Sequence, residues 1–185
     1  MTSNHTAMIL AAGKGKRMLP LTKTIPKPLL KVKGKSLIDY IIENLINANF
    51  SKVVINTSHL KESMLDHFKH SEFNKKIVIE IISENQPLET AGGVRNAIDA
   101  IESETFVLVN GDIFTTFNFS SFNSIFKEFN TSDDLKSFIY LVKNPLHNLG
   151  GDFDLQEKVV CLNKINPYTY SGIGIYRKNF FFWSR

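Results

Sequence analysis

Short apolar runs alternate with amphipathic stretches along this chain, and that alternation predicts its elements. Ala7 to Ala12 is an unbroken apolar run, as a buried strand requires. Ser36-Leu-Ile-Asp39 has the spacing of a capping box and opens a predicted helix to about Ala48, with Leu37, Ile41, Leu45 and Ala48 on one face. A second strand follows at Val53–Ile55, and a second helix runs from His59 to Phe68. Ile77 to Ile82 carries so little polarity that a strand covered on both faces is expected. Thr90 is placed as the cap of a third helix reaching about Ile101. Phe106–Val109 reads as another buried strand, Ser120 to Phe129 as a helix and Phe138 to Val142 as a strand.

Apolar strands separated by amphipathic helices define an α/β fold, a Rossmann-like, mostly parallel sheet with helices on both faces. After Pro145 the pattern shortens to glycine-punctuated pieces at Gly150–Phe153, Val159–Leu162 and Tyr170–Tyr176. These are expected to be strands without intervening helices, forming a small substrate-binding extension. No repeat, linker or low-complexity tract interrupts the 185 residues, so one domain, 1–185, is expected. The pattern leaves the strand order open.

Charge changes the picture more than composition does. Eight of the 22 Lys and Arg fall in the first 38 residues, which hold no acid. The remainder is therefore acidic, although the whole chain carries +4. That asymmetry points to a localised anion site. No basic face with interleaved aromatics recurs downstream, so a nucleic-acid partner is not expected. No run approaches the ~20 apolar residues of a membrane span. The first apolar run is short and leads into a loop, not a cleavage site, so neither a membrane partner nor a leader is expected. One cysteine, Cys161, rules out an internal disulfide and fits a reducing, cytoplasmic setting. Its apolar surroundings, Lys158-Val-Val-Cys-Leu162, predict a buried and inert thiol. His5, His59, His67, His70 and His147 have no metal-ligand spacing, and His67 and His70 are expected to be solvated. Phe114, Phe117, Phe119 and Phe122 read as packing residues.

The basic start is also where chemistry concentrates. It reads Met8-Ile-Leu-Ala-Ala-Gly-Lys-Gly-Lys-Arg17, then Pro20-Leu-Thr22, then Pro26-Lys-Pro28. A strand that delivers a flexible, strongly positive loop suits a polyphosphate. Gly13 and Gly15 let backbone N–H groups approach phosphate oxygens, while Lys14, Lys16, Arg17 and Lys27 supply charge. Two familiar phosphate motifs fail on spacing. A dinucleotide fingerprint would need glycine where Met18 stands, and a P-loop ending at Gly34-Lys-Ser36 would need glycine in place of Leu29. An ordinary strand-to-helix turn would not specify so many positions.

Leu10-Ala-Ala-Gly-x-Gly-x-Arg17, Pro20-Leu-Thr22 and Pro26-Lys-Pro-Leu29 together resemble the signature of the sugar-phosphate nucleotidyltransferases. Pro87-Leu-Glu-Thr-Ala-Gly-Gly93, Leu108-Val-Asn-Gly-Asp112, Asn144-Pro-x-His147, Gly151-Asp-Phe153 and Tyr170-Ser-Gly-Ile173 resemble the branch acting on N-acetylmuramate 1-phosphate. The likeness runs over essentially the whole chain. It implies transfer from UTP to a sugar 1-phosphate, giving a UDP-sugar and pyrophosphate in bacterial cell-wall recycling. Other implied possibilities are a hexose or mannose 1-phosphate with another nucleotide, or a nucleotide-binding remnant without turnover.

The resemblance also assigns roles. Leu10, Ala11, Ala12, Gly13, Lys14, Gly15, Lys16 and Arg17 would line the nucleotide, with amides from Ala12 to Gly15 cradling the triphosphate. Arg17 would grip the β- and γ-phosphates, and Lys27 would act at the α-phosphate, stiffened by Pro26 and Pro28. Asp112 follows a buried strand, so its carboxylate should emerge at the sheet's carboxyl edge. An Asn-Gly-Asp turn would alone explain that residue, but beside the basic loop it suits a Mg²⁺ ligand. Gln86 would read the uracil edge and Gly92 would approach the base. Asn110, Asn144, Gly151, Asp152 and Ser171 would line the sugar pocket.

Three departures accompany the likeness. The family continues through further helices to a Trp-x-Asp-x-Gly-Thr element that supplies a second metal ligand. The sequence reaches Arg185 without it, so the domain is expected to lack those helices and that ligand. Lys143 stands where the family tends to carry an acid, and Asn163-Lys164 where related hexose enzymes have Glu-Lys.

Overall fold

The computed structural model describes residues 5–163 and 165–182. In chain order the strands and helices are β1 (Thr6–Leu10), β2 (Lys31–Val32), β3 (Lys35–Ser36), α1 (Leu37–Asn47), β4 (Lys52–Thr57), α2 (Lys61–Lys69), β5 (Val78–Ser83), α3 (Glu89–Ala97), β6 (Thr105–Asn110), α4 (Phe122–Thr131), β7 (Ser137–Lys143), β8 (Asp154–Gln156), β9 (Val159–Cys161) and β10 (Tyr168–Arg177). Six strands form one sheet in the order β5-β4-β1-β6-β10-β7. β1 is central and parallel to both neighbours, Ala7 lying opposite Val53 of β4 and Val107 of β6. Only β10 runs antiparallel, between β6 and β7.

Period-two alternation splits the sheet's side chains between two cores. Ala7, Ile9, Val53, Ile55, Val107 and Val109 point to one face, covered by Ile38, Ile41 and Leu45 of α1, Met64 and Phe68 of α2, and Phe122, Phe126 and Phe129 of α4. Met8, Val54, Phe106 and Leu108 point to the other, covered by Val94 and Ala97 of α3 and by Phe181. This is the mostly parallel α/β sheet with helices on both faces that the sequence pattern predicts. The helix predicted from Ser36 starts there: Ser36 Oγ accepts the Asp39 N–H at 3.2 Å and satisfies one of its free donors. No helix of the described residues is long and apolar enough to cross a membrane.

Several local expectations are corrected. The strand from Ala7 stops at Leu10, because the Ala11 N–H leaves the ladder for Asn56 Oδ1 at 2.9 Å. β5 is an edge strand whose cover is partial: Ile79 and Ile81 pack against one core and Ile82 against the other, but Val78 is well exposed. Thr90 does not cap α3: Leu88 holds that position, and Thr90 lies inside the first turn. α3 also ends early, passing into a 3₁₀ turn at Ile98–Ala100. The Ser120 helix begins as a 3₁₀ turn at Phe119–Ser121 before α4.

Beyond Pro145 the expected extension is only a two-stranded hairpin of β8 and β9. Gly150–Gly-Asp is not a strand, and Phe153 makes an isolated bridge to Tyr168. The Tyr170–Tyr176 piece belongs to β10, inside the main sheet. Cys161 sits on the hairpin and is only half-buried. Phe114 is exposed, its ring meeting Tyr40 edge-on, whereas Phe119 and Phe122 are core. His67 is not simply solvated, since its Nε2 lies 2.7 Å from Asp39 Oδ1 and ties α2 to α1.

Candidate active site

A cleft of about 650 Å³ opens at the carboxyl ends of β1, β4, β5 and β6. Open α/β sheets bind ligands at this edge. Leu10 to Arg17 form one wall, Lys27, Pro28, Asn110 and Asp112 a second, and Asn56, Glu84, Gln86 and Thr90 a third.

The loop wall is built around Gly15, whose φ of +61° an L side chain rarely adopts. Its carbonyl accepts the Met18 N–H and the Thr22 Oγ–H, each at 2.8 Å. A Cβ at Gly15 would lie 2.8 Å from Thr22 Cγ2, so the turn has no room for one. Behind it, a His59 ring nitrogen stands 3.3 Å from the Thr22 carbonyl. At Gly13, by contrast, a Cβ would meet no protein atom within 4 Å, so that glycine faces open cleft. Lys14, Lys16 and Arg17 are exposed and have no ion-pair partner among the described residues. Uncompensated cations beside free backbone amides make an anion-binding wall.

Lys27 and Asp112 meet across the cleft floor, Nζ to Oδ2 at 2.5 Å, with side chains about one-quarter and one-third exposed. Pro26 and Pro28 bracket Lys27, and the Leu29 N–H bonds the Pro26 carbonyl at 2.8 Å to close a 3₁₀ turn. Asp112 is placed by Gly111, whose N–H bonds the Leu10 carbonyl at 2.9 Å. A Cβ on Gly111 would stand 2.9 Å from that same oxygen, so glycine is required for the approach. Asn110 packs against Gly172 of β10, where a Cβ would come within 2.9 Å of its amide.

The third wall holds residues that the sequence reading missed. Asn56 Oδ1 accepts the Ala11 N–H, while its Nδ2 donates to Glu84 Oε1 at 2.6 Å. Glu84 Oε2 accepts the Leu88 N–H at 3.1 Å. Both side chains are buried. Their signal was present: Asn56 interrupts an otherwise apolar run at the carboxyl end of its strand, as Asn110 does.

The expected site residues divide. Arg17, Lys27, Gln86, Asn110, Asp112 and Leu10 through Lys16 share the cleft. Gly92 does not line it; it sits in α3 with Leu88 Cβ 2.9 Å from where its own Cβ would be. Asn144, Gly151 and Asp152 also lie off it, in an internal network. Asn144 Nδ2 donates to the Asn166 carbonyl at 2.7 Å, and Thr169 Oγ1 donates to Asn144 Oδ1 at 2.9 Å. Asp152 accepts from Asn148 Nδ2 at 3.0 Å and from the Tyr170 N–H at 2.9 Å. Those groups brace the loop 144–152 against β10 and the segment leading into it. Ser171, expected in the sugar pocket, does not line the cleft either: its hydroxyl is buried and has no partner among the described residues. Lys164 and Trp183–Arg185 lie outside the described residues.

No three His, Cys, Asp or Glu side chains among the described residues cluster as a metal cage. Asp112 offers a carboxylate beside the anion wall, a donor that fits a hard cation arriving with phosphate oxygens.

This fold and cleft are those of a sugar-phosphate nucleotidyltransferase. A family model described as Nucleotidyl transferase matches residues 6–148, and the chain belongs to that family. It is 39% identical over 185 residues to the N-acetylmuramate alpha-1-phosphate uridylyltransferase of Neisseria meningitidis serogroup B, covering 95% of this chain and 76% of that protein. The enzyme of the same name from Caulobacter vibrioides is 38% identical over 104 residues, 55% of this chain and 43% of the relative. In three dimensions the chain is similar to a UDP-glucose pyrophosphorylase complexed with UDP-glucose, with a TM-score of 0.76 at 22% identity over 96% of this chain and 77% of that one.

Proposed function

We propose that this protein transfers a uridylyl group from UTP to N-acetylmuramate 1-phosphate, releasing pyrophosphate. The observation that carries the reading is the Lys27–Asp112 contact at the foot of an uncompensated cationic loop. The similarity to the Neisseria protein supports the choice of base and sugar.

A phosphate oxygen of the sugar phosphate attacks the α-phosphorus of UTP, and the bond to the bridging oxygen of pyrophosphate breaks. That nucleophile is already anionic at neutral pH, so no general base is needed. The protein's task is to bring two polyanions together and stabilise charge on the phosphoryl oxygens. Amides from Ala12 to Gly15 cradle the triphosphate, and the Arg17 fork takes the departing pyrophosphate. Lys27 Nζ, held by its proline-braced turn, stabilises charge at the α-phosphate. Asp112 would hold a Mg²⁺ ion, which when bound neutralises charge on the phosphates. Gln86, exposed at the cleft wall, reads the base, and Asn110 faces the sugar side. A nucleotide substrate and a lone cysteine fit the cytoplasm, and an N-acetylmuramate 1-phosphate acceptor fits peptidoglycan recycling.

Pyrophosphate release from UTP and N-acetylmuramate 1-phosphate with Mg²⁺ tests the proposal. UTP-dependent release that exceeds release with glucose or mannose 1-phosphate is the expected result. Preference for another sugar phosphate would overturn the substrate, and UTP binding without release would overturn turnover.

A further inference from the structure

Between the phosphate loop and the segment carrying Gln86 lies a buried polar pair that touches both. Asn56, at the carboxyl end of β4, is 2% exposed, and Glu84, just beyond β5, is 5% exposed. Burying a carboxylate and an amide is costly unless each finds partners, and here each does. Asn56 Oδ1 takes the Ala11 N–H at 2.9 Å, at the point where the phosphate loop leaves β1. Asn56 Nδ2 donates to Glu84 Oε1 at 2.6 Å, and Glu84 Oε2 takes the Leu88 N–H at 3.1 Å, at the start of α3. The helix is seated on this pair by Gly93: a Cβ there would fall 2.6 Å from Asn56 Nδ2 and 2.9 Å from Glu84 Oε1.

We propose that Asn56 is a positioning residue, which through Ala11 and Glu84 fixes the phosphate loop and the base-side segment at one separation. The inference rests on reading the cleft as a nucleoside triphosphate site. A nucleoside triphosphate spans both segments, so a cleft whose two ends are tied in advance loses less freedom on binding it. On that reading the sugar phosphate binds on the Asn110 side and touches neither segment. Loss of the tie therefore acts on UTP and leaves the second substrate alone.

Donor and acceptor order gives a test that separates positioning from mere stability. In Asn56→Asp, two carboxylates face each other. In Glu84→Gln, the new amide cannot accept from both Asn56 Nδ2 and the Leu88 N–H. The double variant, Asn56→Asp with Glu84→Gln, restores every bond with the central one reversed. The carboxylate now at position 56 accepts from the Ala11 N–H and from the amide now at position 84, whose oxygen accepts from the Leu88 N–H. Calorimetric titration with Mg²⁺ and UTP, together with KM for each substrate and the melting temperature, reads the outcome. Each single variant is expected to weaken UTP binding about tenfold or more and to raise KM for UTP. KM for the sugar phosphate should stay within about twofold, and the double variant should recover UTP affinity to within about threefold of wild type. Folded single variants that bind UTP as wild type does would overturn the inference while leaving the site intact. So would KM values that rise equally for both substrates. A wild-type chain that does not bind UTP would overturn the nucleotide reading and this inference with it.

Discussion

Lys27 Nζ and Asp112 Oδ2 lie 2.5 Å apart although 85 positions separate them in sequence. The contact is partly open to solvent, so it contributes about 1 kcal/mol or less to folding. On the proposed function its weight is in the reaction, where the two groups would part to meet phosphate and metal. Lys27→Ala and Asp112→Ala are each expected to lower turnover by about 10²-fold or more. Melting temperatures within a few degrees of wild type would show that the loss is chemical. Pyrophosphate release at saturating UTP measures it, and near-normal rates in either variant would refute the assignment.

Gly15→Ala strikes the same cleft through backbone geometry. The left-handed conformation costs an L residue about 1–2 kcal/mol, and the new methyl would collide with Thr22 Cγ2. The loop should shift, lowering UTP affinity at least about tenfold. Gly13→Ala provides the contrast, since its methyl meets only the open cleft. It is expected to leave the melting temperature unchanged, while any loss of UTP affinity reports contact with the ligand itself.

The sheet and the phosphate wall were legible because each rests on local pattern. Apolar runs such as Phe106–Val109 can only be buried, and the clustering of cations before Asp39 needs no knowledge of tertiary structure. Capping at Ser36 is likewise a four-residue event. What escaped depends on distant partners. Thr90 looks like a cap, yet the donor of the neighbouring Leu88 is satisfied by Glu84, which only strand order brings close. Asn144 and Asp152 look like free ligand groups, but β10 folds back into the main sheet and draws their polar atoms into internal bonds. The edge position of β5 was equally hidden, because an apolar hexapeptide does not declare how many neighbours it has.

Ser36→Ala separates stability from function. It removes the Oγ that accepts the Asp39 N–H at the start of α1, which should cost about 1 kcal/mol. α1 packs away from the cleft, on the core face that includes Ile38 and Leu45. Urea unfolding should register the loss, while KM for UTP stays at the wild-type value.

Acid should weaken the fold through Asp39, which joins α1 to α2 by accepting from His67 at 2.7 Å. Burial is the largest single influence on this carboxyl and pushes its pKa up. Hydrogen bonds from His67 and Ser36, with the charge of His67, together outweigh it, so the net shift is downward from 3.8. A carboxyl whose pKa is lower folded than unfolded stabilises the protein above the unfolded value, and that stability drains away as pH falls through the folded one. Asp39→Asn is therefore expected to be less stable than wild type at pH ~7, by about 1 kcal/mol. The gap should narrow at a pH below the ordinary carboxylate range, as the folded carboxyl takes up its proton. Urea midpoints compared at the two pH values measure it, and a gap that stays constant would show that Asp39 is not the titrating group.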